Sequence, residues 1–344
     1  MTLSEIEDII LAISAPKYRA KQIFDWLQLY GAMNYEEMSN VPKSLRTELA
    51  DKFPIFSCEI ELKQVSKIDG TVKYLIKLSD GNYIESVLMK YKYGYTLCVS
   101  SQVGCRMGCV FCASTKSGRV RNLQPSEILG QIHIAQRDMN IRVSHIVMMG
   151  MGEPLDNYEN TLRFLSLVTD ENGLNISMRN ISLSTCGIVP KIYDLLDKRL
   201  QLTLSISLHA PNNKIRSEMM PINNKYPVEE LVKACKLYSK QTSRRISFEY
   251  TMINGVNDSD ACAYELASLL KGTLCHVNLI PVNEIKESSH KRSTNETLQR
   301  FMSILNSRGI NTTVRRSLGS DIDASCGQLR SKYVQNSDAK EEMQ

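Results

Sequence analysis

The chain predicts an α/β fold: a partial (β/α)6, TIM-like barrel with a small N-terminal accessory domain that is helical first and β second. Three patterns carry this prediction. From residue 96 onward, short apolar strands alternate with amphipathic helices, and repeated βα units imply a parallel sheet with right-handed crossovers. Residues 58–90 alternate with period two, and residues 3–52 keep helical spacing. The expected division is an accessory domain over 1–90, a barrel over 91–320, and a C-terminal loop with a disordered tail over 321–344.

Ile6, Ile9, Ile10 and Ile13 mark a first helix, Ile23, Phe24, Trp26, Leu27 and Tyr30 a second, and Pro42 opens a third before Leu45 and Leu49. Val72, Tyr74, Ile76 and Leu78 then alternate with polar neighbours, while Asp69-Gly70 and Asp80-Gly81 supply the positive φ that tight hairpins need. A small antiparallel meander follows. Candidate barrel strands are 96–101, 144–149, 179–184, 202–207, 246–252, 275–280 and 310–315. Pro125 and Pro227 sit at helix starts, Ser293-x-x-Glu296 has the form of a capping box, and Gly272 and Gly309 fit helix C-terminal stops.

The 344 residues are 42% hydrophobic and 23% charged, the balance of a soluble globular protein. The opening MTLSEIEDIILAIS starts with acids instead of a basic n-region, so no secretory signal is expected, and no apolar run has membrane-spanning length. Ten cysteines in that setting point to a reducing cytoplasm and to metal or thiol chemistry. The net charge is +5, yet residues 1–60 hold six Lys/Arg against nine Asp/Glu. A polyanion should therefore meet the later part of the chain, where Arg119/Arg121, Arg244/Arg245, Lys291/Arg292 and Arg315/Arg316 lie.

The stretch CVSSQVGCRMGCVFC, from Cys98 to Cys112, holds Cys105, Cys109 and Cys112 as C-x3-C-x2-C on a loop with Gly104 and Gly108. A structural zinc site wants four ligands, and an ordinary cubane wants four cysteines. The run stops at three. The next cysteine is Cys186 and the nearest histidine His133, so a four-iron cluster held here would keep one iron open to another ligand. A zinc knuckle with a distant fourth ligand is the alternative.

Other patches fall at the C-terminal ends of the expected strands, where barrel chemistry collects. They are Gly150-Met151-Gly152-Glu153-Pro154, then Ser184 with Cys186, then Ser207-Leu208-His209, and Asn283. Each alone has an ordinary structural explanation; together on one rim they suggest a shared cofactor pocket. Glu85 shares a face with Tyr83, Val87 and Met89, but Ile84 and Leu88 make the other face apolar too, so its position suggests a solvated edge glutamate. Cys326, among Ala324, Ser325 and Gly327, lies on a small-residue loop that would leave a thiol accessible.

Cys105-x3-Cys109-x2-Cys112, MGMGEP, SLHAPN at 207–212, MMPIN at 219–223 and DIDASCGQL together resemble one family, the dual-specificity RNA adenine-C2 methyltransferases of the radical S-adenosylmethionine (SAM) superfamily. The resemblance covers nearly the whole chain. It implies a 4Fe-4S cluster on Cys105, Cys109 and Cys112, SAM as the other cofactor, and 23S rRNA and tRNA as substrates. It further implies that one SAM methylates Cys326, and that a radical made from a second SAM activates that S-methyl group to add to C2. Glu85 would then accept the C2 proton, and Cys98 would attack Cys326 to release the product through a transient disulfide. Gly152, Glu153, Ser184, Ser207, Leu208, His209 and Asn283 would hold SAM. An electron donor such as flavodoxin or ferredoxin is implied, and a monomer is expected. Cys186 departs from the family pattern, where many members have serine, and Ser325 stands where many have alanine.

Two rivals stay open at this stage. A sister activity methylates C8 of the same ribosomal adenosine, but SLHSP would be expected there in place of SLHAPN. The other is a zinc-stabilised RNA-binding protein without catalysis.

Overall fold

The computed structural model describes residues 1–55, 58–116, 118–282, 291–322, 329–330 and 333. Helices α1 (Leu3–Ala12), α2 (Tyr18–Gln28) and α3 (Lys43–Lys52) form the N-terminal module. Their apolar faces meet in a core of their own around Ile6, Ile10, Ile23, Phe24, Met38 and Leu49. Thr2 caps α1 in a capping box with Glu5, and Pro42 precedes α3, as the spacing predicts.

Strands β1 (Cys58–Val65), β2 (Val72–Leu78) and β3 (Tyr83–Tyr91) make the antiparallel meander, with Gly70 and Gly81 at positive φ in its turns. β4 (Gly94–Cys98) pairs with β3, and β5 (Gln102–Gly104) and β6 (Arg119–Asn122) form a separate two-stranded piece. Then come α4 (Pro125–Met139), β7 (Val143–Met148), α5 (Tyr158–Val168), β8 (Ile181–Thr185), α6 (Val189–Asp197) and β9 (Thr203–Ser207). α7 (Asn213–Met219), α8 (Val228–Thr242), β10 (Ile246–Met252), α9 (Asp260–Leu270), β11 (Cys275–Pro281), α10 (Asn295–Ser307) and β12 (Thr312–Val314) complete the series. Among the described residues, one sheet runs β1-β2-β3-β4-β7-β8-β9-β10-β11-β12. It is parallel from β4 to β12, so the alternation in sequence does build a (β/α) sheet, and the meander extends that sheet from its β4 edge.

Ladder register sorts the two faces. Val72, Leu88, Leu97, Ile146 and Ile181 lie in one row and belong to the main core, which the helices cover through residues such as Ile128, Ile132 and Phe164. Lys73, Val87, Cys98, Val147, Ser182 and Thr203 form the neighbouring row on the opposite, inner face. That inner face carries the polar side chains.

Two local expectations are corrected. Glu85 is not a solvated edge residue: β3 lies between β2 and β4, and the side chain is 2% exposed. The cap of α10 is Thr294, whose side chain accepts from the Thr297 amide, while the Ser293 hydroxyl donates to Asp258 at 2.7 Å. Gly272 and Gly309 stand just beyond α9 and α10 at positive φ, as stops should.

Candidate active site

The three clustered cysteines lie between β5 and the turn that leads to β6. Gly104 has φ +75°, and a Cβ there would sit 1.9 Å from the Gly118 carbonyl oxygen, so only glycine lets the two sides of the loop approach. The Cys105 amide donates to that same carbonyl at 2.9 Å. The Thr115 hydroxyl donates to the Cys109 and Cys112 carbonyls, closing the far end. Cys105 and Cys109 are buried and Cys112 is half-buried.

Burial, reinforced by the charge of the neighbouring Cys112, pushes the Cys105 thiol up to about 12; burial with Cys112 and Cys105 drives Cys109 upward too. Thiols so placed give up their protons only when a cation takes the charge. Among the described residues, no three or more His, Cys, Asp or Glu side chains are arranged to hold a single metal ion. A mononuclear zinc site needs four ligands on one ion, whereas the thiolates of a multi-iron cluster bind separate irons, which suits three cysteines spread along one loop.

Asp156 tethers this loop. Its carboxylate accepts from Arg106, which lies between the first two cysteines, from Arg119 at 3.1 Å and from Gln102 at 2.9 Å. Burial works to raise its carboxyl, but these donors outweigh burial and hold it below the usual carboxylate range.

The glycines after β7 allow tight stacking. A Cβ on Gly152, at φ +102°, would lie 2.6 Å from the Gln102 Cβ. Glu153 is 4% exposed; its carboxylate accepts the Leu155 amide at 3.0 Å and the Cys186 amide at 2.7 Å, so it joins the ends of β7 and β8. Burial raises its carboxyl against the lowering effect of those amides. Ser184 and Ser207 point to the inner face with Ser205 and Glu249 in the adjoining ladder positions. Leu208 is fully buried.

His209 is fixed at φ +56°, with Nδ1 accepting the Thr251 amide at 2.9 Å. Burial and the nearby Arg216 push its pKa down to about 3, so it is neutral with the proton on Nε2. Its ring meets Phe111, from the cysteine loop, edge-on at 4.8 Å. Cluster loop and SLH segment are therefore in direct contact.

Four residues that matter here carry no signal in sequence. Arg216 on α7 is 0% exposed and donates to the carbonyls of Cys186, Ser207 and Leu208 and to Asn223. Asp156 is the second, Glu249 the third and Lys73 the fourth. Glu249 on the inner face accepts from Ser247 and from Asn278, both at 2.9 Å. The Lys73 ammonium meets Glu85 Oε2 at 2.6 Å.

Glu85 and Cys98 lie on the same inner face of adjacent strands, since Cys98 pairs with Val87, two residues beyond Glu85. Glu85 Oε1 accepts the Arg330 amide at 2.6 Å. Asn283 and Cys326 lie outside the described residues, but the chain on either side of Cys326 is placed. Asp69 accepts the Gly319 amide, and Asp321 accepts the Ser66 hydroxyl and the Lys67 amide. Leu329 is buried next to Arg330. Both flanks are thus fixed to the meander. The nine described cysteines form no disulfide with one another.

Fold and site define a radical SAM enzyme: residues 99–267 match the Radical SAM superfamily, and residues 1–55 match a domain described as "Ribosomal RNA large subunit methyltransferase N-terminal domain". A protein of Clostridium novyi named "Probable dual-specificity RNA methyltransferase RlmN" is 54% identical, the match covering 97% of this chain and 98% of that protein. The like-named protein of Clostridium botulinum is 54% identical over 99% of this chain and 98% of its own length. The crystal structure of a radical SAM methyltransferase from Sphaerobacter thermophilus superposes with a TM-score of 0.91 at 46% identity, over 95% of this chain and 97% of that one. The chain belongs to the dual-specificity RNA methyltransferase family. Its cofactors are those of the superfamily, a 4Fe-4S cluster and SAM.

Proposed function

We propose that the protein methylates C2 of adenosine in 23S rRNA and in tRNA, with Cys326 as the methyl carrier. The observation that carries this reading is the shared inner face of Glu85 and Cys98, one short segment before the cysteine loop. Adenine C2 lies between two ring nitrogens and is too electron-poor to attack a sulfonium methyl group. Cluster and SAM, held by Cys105, Cys109, Cys112 and the rim residues Gly152, Glu153, Ser184, Ser207, Leu208, His209 and Asn283, supply carbon-radical chemistry.

In this reading Cys326 holds the methyl group as a thioether, Glu85 takes the C2 proton, and the Cys98 thiol attacks Cys326 to free the product with a transient disulfide. The anchoring of both flanks of Cys326 to the meander, one at the β1–β2 turn and the other at Glu85 itself, supports that division of roles. Residues 1–90 act as the accessory domain, 91–320 as the radical SAM core, and 321–344 as the catalytic loop and tail. The enzyme works as a cytoplasmic monomer reduced by a flavodoxin or ferredoxin. A target base must be splayed out of its stack to reach such a site, which favours loops over duplex.

Mass spectrometry of rRNA and tRNA from a deletion strain tests this. Loss of 2-methyladenosine from both RNAs is expected. Loss of 8-methyladenosine with 2-methyladenosine intact would establish the sister activity instead.

A further inference from the structure

We propose that Lys73 is the positioning residue for proton removal: it holds Glu85 Oε2 inside the sheet and leaves Oε1 as the oxygen that takes the proton. This rests on the reading of Glu85 as proton acceptor. Lys73 and Glu85 are 0% and 2% exposed and stand 2.6 Å apart. Removing two charges from water costs several kcal/mol per ion, and a well-packed apolar pair is often as stable, so a buried ion pair is weak evidence of a structural purpose.

Aliphatic side chains do fit on this face. Leu75, two residues along β2 and directly opposite Glu85, is 0% exposed. The charge at Lys73 therefore has a use other than filling space. A carboxylate enclosed without a cation tends to stay protonated and cannot accept. Lys73 on Oε2 is the cation that Glu85 has beside it.

Among the described residues, the two oxygens differ in what they meet. Oε2 faces an ammonium enclosed between strands, whereas Oε1 accepts a main-chain N–H from Arg330, beyond the segment that bears Cys326. Displacement of that N–H exposes Oε1 to the inner face. In the proton step the C2–H bond breaks, the proton bonds to Oε1, and the electron pair stays with the adenine ring. Among the described residues, the titratable or charged groups around Glu85 are Lys73 and Lys77 from β2, on either side of the opposite position, Arg330 from the C-terminal segment, Tyr83 on its own strand and Cys98 from β4, one pair along the ladder.

The test is single-turnover methylation of an RNA hairpin by the anaerobic holoenzyme from pH 5.5 to 9, with intact mass of the S-methylated protein and iron content measured alongside. Lys73→Met should move the acid limb of the rate upward by about 1–3 pH units, the shift an opposite charge at this range produces. Methylation of Cys326 and iron content should be unchanged, and Lys73→Arg should restore the wild-type limb. Where Lys73→Met unfolds, Lys73→Gln is measured in its place. An acid limb that stays put in the charge-removing variant overturns the inference, as does equal damage in Lys73→Arg. Glu85→Gln separates the two levels: full activity there overturns Glu85 as acceptor, while an inactive Glu85→Gln beside an unshifted Lys73 variant overturns Lys73 alone.

Discussion

Asp156 grips Arg106 across 50 residues of chain, joining the loop after β7 to the loop that carries Cys105 and Cys109. The contact is a two-point one, with Arg106 Nε at 3.0 Å from Oδ2 and the terminal nitrogen on Oδ1. Two further donors, Gln102 and Arg119, converge on the same carboxylate.

Asp156→Ala should therefore loosen the cluster loop before it harms the fold. Arg106 is 57% exposed, so the loss in stability is small, about 1–2 kcal/mol. The larger effect is kinetic. Release of iron to a chelator, followed by loss of cluster absorbance, should accelerate several-fold in Asp156→Ala and much less in Asp156→Asn, which can still accept from Arg106. Equal release rates in all three proteins would show that the tether does not protect the site.

His133 links the N-terminal module to the barrel. It sits on α4 against Gly31, where a Cβ would come within 2.5 Å of its ring, and Arg137 one turn on donates to the Gly31 carbonyl at 3.0 Å. Burial, with a smaller contribution from Arg137, pushes its pKa down from 6.5 to about 4. The folded state therefore binds the proton less readily than the unfolded chain. Its contribution to stability is complete above pH 6.5 and is lost as pH falls from there toward 4. Urea denaturation should give roughly 1.5–2 kcal/mol less stability at pH 5 than at pH 6.5 from this group, and His133→Gln should remove that share of the slope.

Local periodicity made the elements legible, because strands and helices write their contacts at spacings of two and about 3.6. The Asp-Gly turns, Pro42, Gly272 and Gly309 were readable for the same reason: each acts on its own neighbours. Lys73 was not readable. Alternation with Val72, Tyr74 and Ile76 places it on the face away from the core, which for an isolated meander means solvent. Here that face is the inside of the ten-stranded sheet, a fact fixed by the pairing of β3 with β4 and β4 with β7. The same alternation puts Glu85 at a solvated edge, and the same pairing encloses it. Asp156 escaped because its partners lie in segments distant in sequence, and Arg216 because its acceptors are mostly main-chain carbonyls, which leave no side-chain pattern, while the cysteine loop and the GMGEP and SLH segments carry dense, specific residue patterns of their own.

Arg216 is a fully buried guanidinium bonded to three carbonyls and an Asn side chain, and the described ion pairs give it no carboxylate. Planar, fixed donors suit that set of acceptors, and an ammonium does not. Arg216→Lys should thus behave as a poor substitute, losing about 2–4 kcal/mol in denaturant unfolding because acceptors at the ends of β8 and β9 are left unmet. SAM affinity measured calorimetrically should fall with it, since Ser207 and Leu208 lose their brace. Wild-type affinity in a destabilised Arg216→Lys would confine the residue to folding.

Cys326→Ala separates methyl transfer from cluster assembly. On the proposed reading the three thiols on the loop before β6 supply the cluster without Cys326, so absorbance, iron and sulfide should match the wild type. Product should vanish, because no thioether can form, and the intact mass of the anaerobically purified protein should lack the single added methyl group expected on wild type. Glu85 accepts the Arg330 amide beyond the substituted position, so the C-terminal anchor should hold and the melting temperature change little. Loss of iron in Cys326→Ala would make that cysteine a ligand, and its role as methyl carrier would then be untenable.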